Sequence, residues 1–270
     1  MPELPEVETS RRGISPHIVS QQVSDIVIRQ RRLRWPISTD IDAELPGATV
    51  TSVDRRAKYL LINTTAGTAI IHLGMSGSVF IVDRDTPAGV HDHFDIQFHS
   101  GIALRFRDPR KFGSLHWTND AAGHRLLRNL GPEPLGDDFS GEYLWKKSRG
   151  RRVAIKQFIM NAGVVVGVGN IYASESLFHA GIHPRRSAGR IALHRYNGLA
   201  LEIRDVLEKA IRAGGTTLRD FYGGDGAAGY FQQELVVYGR EDEPCRRCQR
   251  PISVFVLGQR STYYCKDCQH

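Results

Sequence analysis

The chain has 270 residues, 41% of them hydrophobic, enough for one large core or two modest ones. Lys and Arg number 36 against 29 Asp and Glu, and a pI near 9.4 draws the molecule to polyanions, nucleic acid first among them. No run of about 18 apolar residues could span a bilayer, and the acidic, proline-rich start MPELPEVET lacks the basic and apolar regions of a signal peptide, so a cytosolic chain with no membrane partner is expected.

In chain order, Glu6 to Ile18 reads as a short helix, and strand-like runs follow. AKYLLINTTAGTAIIHLGMSGSVFIV holds three apolar runs broken by Thr-Ala-Gly and Gly-Met-Ser-Gly, and the second break puts Met75 at a hairpin tip. In FDIQFHSGIALRFRD, Phe94, Ile96 and Phe98 alternate. A Ser-Gly turn follows, then Ile102, Leu104 and Phe106 share one face and leave Arg105 and Arg107 on the other. This period-two patterning predicts an antiparallel sandwich or barrel over residues 1–130. GPEPLGDDFSGEYLWKKSRGRR then breaks periodicity with Gly, Pro and Asp and predicts a linker over 131–150. VAIKQFIMNAG, NIYASESLFHAG and ALHRYNGLALEIRDVLEKAIRAGG read as helices that close on glycine, the last carrying Leu199, Ile203, Val206 and Ala210 on one stripe. They place a helical domain over 151–234. The fold class expected is α+β multidomain, with a final unit over 235–270.

That final unit contains all four cysteines, as Cys245-x2-Cys248 and Cys265-x2-Cys268 with sixteen residues between the pairs. Each pair offers two thiolates from one tight knuckle, and two knuckles joined by a hairpin complete the tetrahedral four-sulfur shell that Zn2+ favours. Disulfides are the alternative, disfavoured in a cytosolic chain with no other cysteine. Four thiolates leave no position open for water, so one structural zinc is expected and the catalyst must lie elsewhere.

Pro2 is the first candidate. Trimming of methionine ahead of a small residue would expose a secondary amine with a pKa near 8, partly uncharged at neutral pH. Such an amine can attack an electrophilic carbon and, once a sugar ring opens, form an iminium. Glu3 stands beside it as a candidate acid. On composition alone Pro2 and Pro5 equally stiffen an extended terminus. In VGVGNIYASE, Gly167 and Gly169 permit close backbone approach and a helix starting near Asn170 points unpaired N–H groups at an anion, although the same glycines suit a tight turn between packed helices. RDPRKFG sets Arg110, Lys111 and Phe112 together, a cation beside an aromatic of the kind that wedges between bases, or else a solvated turn with one buried ring. His91 and His93 read as loop or phosphate contacts rather than a metal site. RQRRLR and KKSRGRR are basic faces that support polyanion binding without naming it.

Together, MPELPEVET, RRAKYLL, HLGMSG, DPRKFG, VGVGNIYASE, GGTTLRDF, GYFQQELVVYGR and the cysteine ribbon resemble, in order and nearly end to end, the formamidopyrimidine-DNA glycosylase family. The resemblance implies an N-terminal β-sandwich catalytic domain, a helix–two-turn–helix domain and a zinc ribbon. It implies an enzyme of base excision repair that removes oxidised purines from damaged double-stranded DNA and then cleaves the strand by β,δ-elimination. It assigns Pro2 as nucleophile, Glu3 as the acid that protonates the opening sugar, and Lys58 as the lysine that assists elimination. Met75, Arg110 and Phe112 would fill the space of the flipped nucleotide, with Arg110 on the orphaned cytosine. His72, His91, Lys156, Asn170 and Arg260 would complete the DNA-contacting set, and GGTTLRDFYGGDGAAGYF would form a loop over the base pocket. Asn161 and Lys111 depart from residues common in the family, and the ribbon hairpin VFVLGQRSTYYC is unusually apolar. The alternatives are the sister endonuclease VIII, which removes oxidised pyrimidines, and a zinc-ribbon DNA-binding protein without catalysis. Nothing in the sequence points to an obligate oligomer, so a monomer in the bacterial cytosol, associated with the nucleoid, is expected.

Overall fold

A computed structural model describes residues 2–214 and 235–270. The loop expected over the base pocket falls, from residue 215 onward, outside the described residues. Two compact units are present: residues 2–128 form one, and Asn129–Arg212 with 235–270 form the other.

The first unit opens with helix α1 (Leu4–Ile18), starting two residues earlier than periodicity suggests because Pro5 in the first turn has no N–H to lose there. Strands β1 (Val23–Ile28), β6 (Asp92–Phe98), β7 (Ile102–Arg107) and β5 (Ser78–Asp83) make one antiparallel sheet in the order β1-β6-β7-β5. Strands β2 (Val50–Arg56), β3 (Tyr59–Thr64), β4 (Thr68–His72) and β8 (Ser114–Thr118) make the second, in the order β2-β3-β4-β8, and the short helix α2 (Asp40–Glu44) lies between β1 and β2 in the chain. Val7, Ile14 and Ile18 of α1 join Val53, Leu60 and Ile71 of one sheet and Phe94, Phe98 and Phe106 of the other in a single core. Burying one such side chain is worth about 1.5–3 kcal/mol.

One expectation changes here. HLGMSG is not a hairpin tip: β4 and β5 belong to different sheets, so His72–Ser78 is a strap from one layer to the other. Arg105, on the face opposite Ile102, Leu104 and Phe106, is only 1% exposed. Asp95 faces it across the β6–β7 ladder and accepts from Nε and Nη2, both at 2.9 Å, while Asp92 pairs with Arg107 at 2.6 Å. Arg29 closes the network on Asp95. On this face Arg105, Asp92 and Asp95 form a buried ionic cluster with the exposed Arg107 at its edge; against the upward push of burial, the arginines hold Asp92 and Asp95 below the usual carboxylate range.

In the second unit the stretch read as a linker contains a helix, α3 (Gly141–Ser148). Ser140 caps it by accepting from Tyr143 N at 3.1 Å, and most of the Pro and Gly that hid it (Gly131, Pro132, Pro134 and Gly136) precede the cap. Helix α4 (Ile155–Ile159) is one turn long because Asn161 draws the chain out of the helix: its Oδ1 accepts from Gly163 N at 2.9 Å and its carbonyl from Val164 N at 2.8 Å. Helices α5 (Asn170–His179) and α6 (Leu193–Arg212) follow, and the expected α6 stripe of Leu199, Ile203, Val206 and Ala210 is buried. Strands β9 (Ser253–Leu257) and β10 (Arg260–Tyr264) form the antiparallel cysteine hairpin. Gly258 and Gln259, both at positive φ, make its two-residue turn.

Candidate functional site

Pro2 and Glu3 are buried at the start of α1. Glu3 is the N-cap, and a reciprocal capping box fixes it: Glu3 N donates to Glu6 Oε2 at 2.7 Å. One turn on, Glu8 accepts from Arg11 at 2.9 Å, Arg12 at 2.8 Å and Arg55 at 3.3 Å. Arg55 also donates to Ala57 O at 2.9 Å. It therefore ties α1 to the two-residue turn between β2 and β3, in which Ala57 takes a φ of +56° and Lys58 is the second residue. Helix start and lysine turn are braced by one carboxylate. Sequence reading missed Glu8, whose partner lies 47 residues away.

His72, at the end of β4, packs its ring at a tilt against Tyr59, the residue after Lys58, with the ring centres 4.9 Å apart. Burial, with the nearby charge of Lys58, pushes its pKa down to about 4. The ring is therefore neutral, and its Nδ1 accepts from Gly74 N at 3.0 Å, which leaves the proton on Nε2. Gly74 sits at φ +68°, where a Cβ would fall 2.5 Å from the backbone of Phe112 and Gly113. The strap and the DPRKFG loop thus meet backbone to backbone, and only glycine permits it.

A second missed residue holds them together. Asp108 is fully buried. Its Oδ1 accepts from Ser76 Oγ at 2.7 Å and Arg110 N at 3.2 Å, its Oδ2 from Gly113 N at 2.7 Å, and its carbonyl from Lys111 N at 3.2 Å. His93 Nε2 is bonded to that carbonyl at 2.7 Å, so the buried member of the histidine pair is a brace, while His91 is exposed. Held this way, Met75 and Phe112 stand 40% and 42% exposed on adjoining loops, and the Arg110 guanidinium lies over the Phe112 ring at 4.9 Å. Two large apolar side chains kept in water on a braced frame suit insertion into a base stack.

In the second unit Lys156 is buried to 1% on α4, and its Nζ donates to Thr262 Oγ1 at 2.9 Å and Ser261 O at 3.3 Å. Asn170 begins α5 and donates to Ser261 O at 3.1 Å, with a longer contact of 3.4 Å to Tyr238 Oη. Arg260 is exposed beside them, lining a cleft of about 220 Å3 with Lys156, Gln157, Met160, Asn161, Leu257 and Gly258. Glu175 of α5 accepts from the backbone N–H groups of Val236, Val237 and Tyr238 at 2.8–3.0 Å, anchoring the chain that leads into the cysteine hairpin.

The four cysteine sulfurs lie within 4.8 Å of one another. A tetrahedral zinc with Zn–S bonds of about 2.3 Å sets sulfurs about 3.8 Å apart. Cys245 to Cys268 is 3.9 Å and Cys248 to Cys265 is 3.4 Å. The donor set fits one structural Zn2+, with Phe178, Val237 and Ile252 packed around it.

Sandwich, helices and a four-thiol ribbon that fits one structural zinc define a zinc-ribbon protein of the kind that acts on nucleic acid. Residues 1–115 match the family model of the formamidopyrimidine-DNA glycosylase N-terminal domain, 130–222 that of its H2TH domain, and 242–270 that of the zinc finger found in FPG and IleRS. The formamidopyrimidine-DNA glycosylase of Stutzerimonas stutzeri is 59% identical over 269 residues, covering 100% of both chains. The fold superposes on the Lactococcus lactis FPG mutant G226P in complex with a Fapy-dG containing DNA with a TM-score of 0.92, at 33% identity over 100% of each chain. It also superposes on the MutM (FPG) protein of Thermus thermophilus with a TM-score of 0.89, at 34% identity over 99% of this chain and 98% of that one. The chain belongs to the formamidopyrimidine-DNA glycosylase family.

Proposed function

We propose that this protein excises oxidised purines, 8-oxoguanine and formamidopyrimidines, from duplex DNA and cleaves the strand at the resulting site, with Pro2 as nucleophile. The observation that carries the reading is the buried Pro2–Glu3 start of α1, braced through Glu8 and Arg55 to the turn that presents Lys58. The complex of an L. lactis relative with Fapy-dG containing DNA supports the substrate class.

Once Met1 is removed, the Pro2 nitrogen lone pair forms a bond to C1′ of the damaged nucleoside. The glycosidic C–N bond breaks, and its electron pair leaves with the base, which takes up a proton. Glu3 then protonates O4′ as the C1′–O4′ bond opens, leaving an iminium between Pro2 and C1′. The iminium acidifies C2′–H. Loss of that proton, assisted by Lys58, expels the 3′ phosphate, and a second elimination expels the 5′ phosphate and leaves a one-nucleotide gap.

Flipping the nucleotide costs a few kcal/mol of stacking, and an inserted aromatic returns about 1–3 kcal/mol. Phe112 and Met75 supply the wedge and Arg110 the planar donors for the orphaned cytosine. Neutral His72 offers Nε2–H, and exposed His91 a ring, to the DNA backbone. Lys156 and Arg260, which line the 220 Å3 cleft, and Asn170 at the start of α5 bind phosphates, one of which would replace the long Asn170–Tyr238 contact. The enzyme works as a monomer on DNA of the bacterial nucleoid, with the sandwich of residues 1–130 as its catalytic domain, and with the connecting segment 131–150 and its helix α3 leading into the helical domain of 151–234 and the zinc-ribbon domain of 235–270.

Borohydride added during turnover should trap a covalent adduct between the processed protein and DNA carrying 8-oxoguanine, and the Pro2→Gly variant should leave far less of it. Processed wild-type protein that cleaves the DNA without forming any trappable adduct would refute the mechanism. Activity confined to thymine glycol would favour the oxidised-pyrimidine alternative.

A further inference from the structure

Between β5 and β6 the chain makes a long return, residues 84–91, in which every residue is exposed and Val90 stands 88% in water. No buried side chain anchors it, yet it ends at His91, the ring proposed to meet the DNA backbone. Its attachment is polar. Thr86 O accepts from Arg105 Nη2 at 2.8 Å and Pro87 O from Arg105 Nη1 at 3.0 Å. Gly89 N donates to Asp92 Oδ2 at 2.7 Å, Asp92 N donates back to Gly89 O at 3.0 Å, and His91 O accepts from Asp108 N at 3.0 Å.

The guanidinium that holds the return is also the hub of the buried ionic cluster. Its Nε and Nη2 donate to Asp95 and its Nη1 lies 3.7 Å from Asp92, so one fork serves carboxylates on one side and loop carbonyls on the other. As core filling this is costly, because a well-packed apolar side chain of similar volume commonly serves stability as well as a buried ion pair does. What an apolar side chain cannot supply is donors for Thr86 O and Pro87 O. A lysine cannot either, since its donors share one nitrogen, whereas arginine spreads five across a rigid plane. Asp95 also pairs with Arg29 and Asp92 with Arg107, so each carboxylate has a second cation. Among the described residues the two loop carbonyls have no donor other than Arg105.

We propose that Arg105 is a positioning residue for His91: through the carbonyls of Thr86 and Pro87, with Asp92 closing the turn at Gly89, it fixes the exposed return so that the His91 ring meets DNA already in place. The inference rests on the reading of His91 as a DNA contact. A return ordered in advance does not lose its freedom on binding, so the effect belongs to affinity and not to the chemical step.

The test is a double-mutant cycle in the full-length, processed protein. Its members are Arg105→Lys, which keeps the charge of the cluster and loses the fork, His91→Ala, and the two combined. Binding is titrated on a duplex carrying a tetrahydrofuran abasic analogue, and excision of 8-oxoguanine is timed in single turnover at saturating enzyme. Arg105→Lys should weaken binding about tenfold, keep the saturated excision rate within about twofold of wild type, and add nothing to the loss already caused by His91→Ala. Losses that multiply in the combined variant, wild-type affinity in Arg105→Lys, or a saturated rate that falls as far as affinity would each overturn the positioning role and leave His91 a contact. Wild-type affinity in His91→Ala would overturn the proposal through the reading beneath it. Should Arg105→Lys fail to melt cooperatively, Gly89→Pro carries the same cycle with His91→Ala, since it strips the N–H that Asp92 holds and leaves the buried cluster whole.

Discussion

Asp108 touches no residue assigned to the chemistry, yet both wedge loops hang on it. A buried carboxylate accepting three backbone or hydroxyl hydrogens cannot be removed without stranding donors at about 1–3 kcal/mol each. Asp108→Ala should therefore lower stability by roughly 3 kcal/mol and weaken discrimination between cytosine and adenine opposite the lesion, since Arg110 loses its brace. Asp108→Asn keeps the shape but can turn an NH2 on the Gly113 N–H, so its thermal stability should fall between the two. Melting curves and paired cleavage assays check both. His72 and His116 carry a different liability. Burial holds each near 4, with Lys58 adding to the effect at His72 and His124 at His116. The folded values lie below the ordinary 6.5 of the unfolded chain, so the unfolded state binds more protons between about 4 and 6.5. Stability from the neutral rings is complete above about 6.5 and is lost as pH falls through about 4. His116 Nε2 is buried without a partner, so His116→Phe should flatten this acid limb in denaturant titrations at stepped pH without lowering the neutral-pH plateau.

At the scale of elements, legibility followed locality. The α6 stripe and the β6–β7 alternation repeat within a few residues and could be read directly, as could the cysteine spacing. The buried Arg105 could not, because a polar face looks solvated until the facing carboxylates of Asp92 and Asp95 are known. Helix α3 was masked by Gly and Pro, most of which lie before its Ser140 cap. Strand β4 showed its apolar run, but nothing in that run says that its successor joins the other sheet. Pro2, Glu3 and Lys58, proposed for the chemistry, were readable only as a motif, and the contacts that brace them were not. Glu8 is the clearest case, since it joins α1 to the lysine turn. Glu8→Gln should cost about 2 kcal/mol in hydrogen bonds to charged groups and should slow excision in single turnover more than it weakens DNA binding. The comparison of single-turnover rate with affinity checks this, and equal losses in the two would count against a positioning role.

For the whole molecule the four thiolates matter most. Below the helices of its unit, the cysteine hairpin is held by Glu175 on one side and by Lys156 and Asn170 through Ser261 on the other. A zinc that fixes the hairpin therefore also fixes Lys156 and Asn170, the residues proposed to bind phosphate. Chelation should weaken duplex binding severely, and zinc restored in stoichiometric amount should recover it. Affinity unmoved by verified zinc loss would contradict that coupling.

The strap from His72 to Ser78 has a consequence for how the chain tolerates change in length. A loop at the end of a hairpin can grow by several residues for well under a kcal/mol of closure entropy. A crossing from layer to layer has both ends pinned and Gly74 pressed on the neighbouring backbone. Inserting or deleting one residue there would throw every side chain of the following strand onto the wrong side of its sheet. In a random-insertion library this seven-residue stretch should stay empty of survivors.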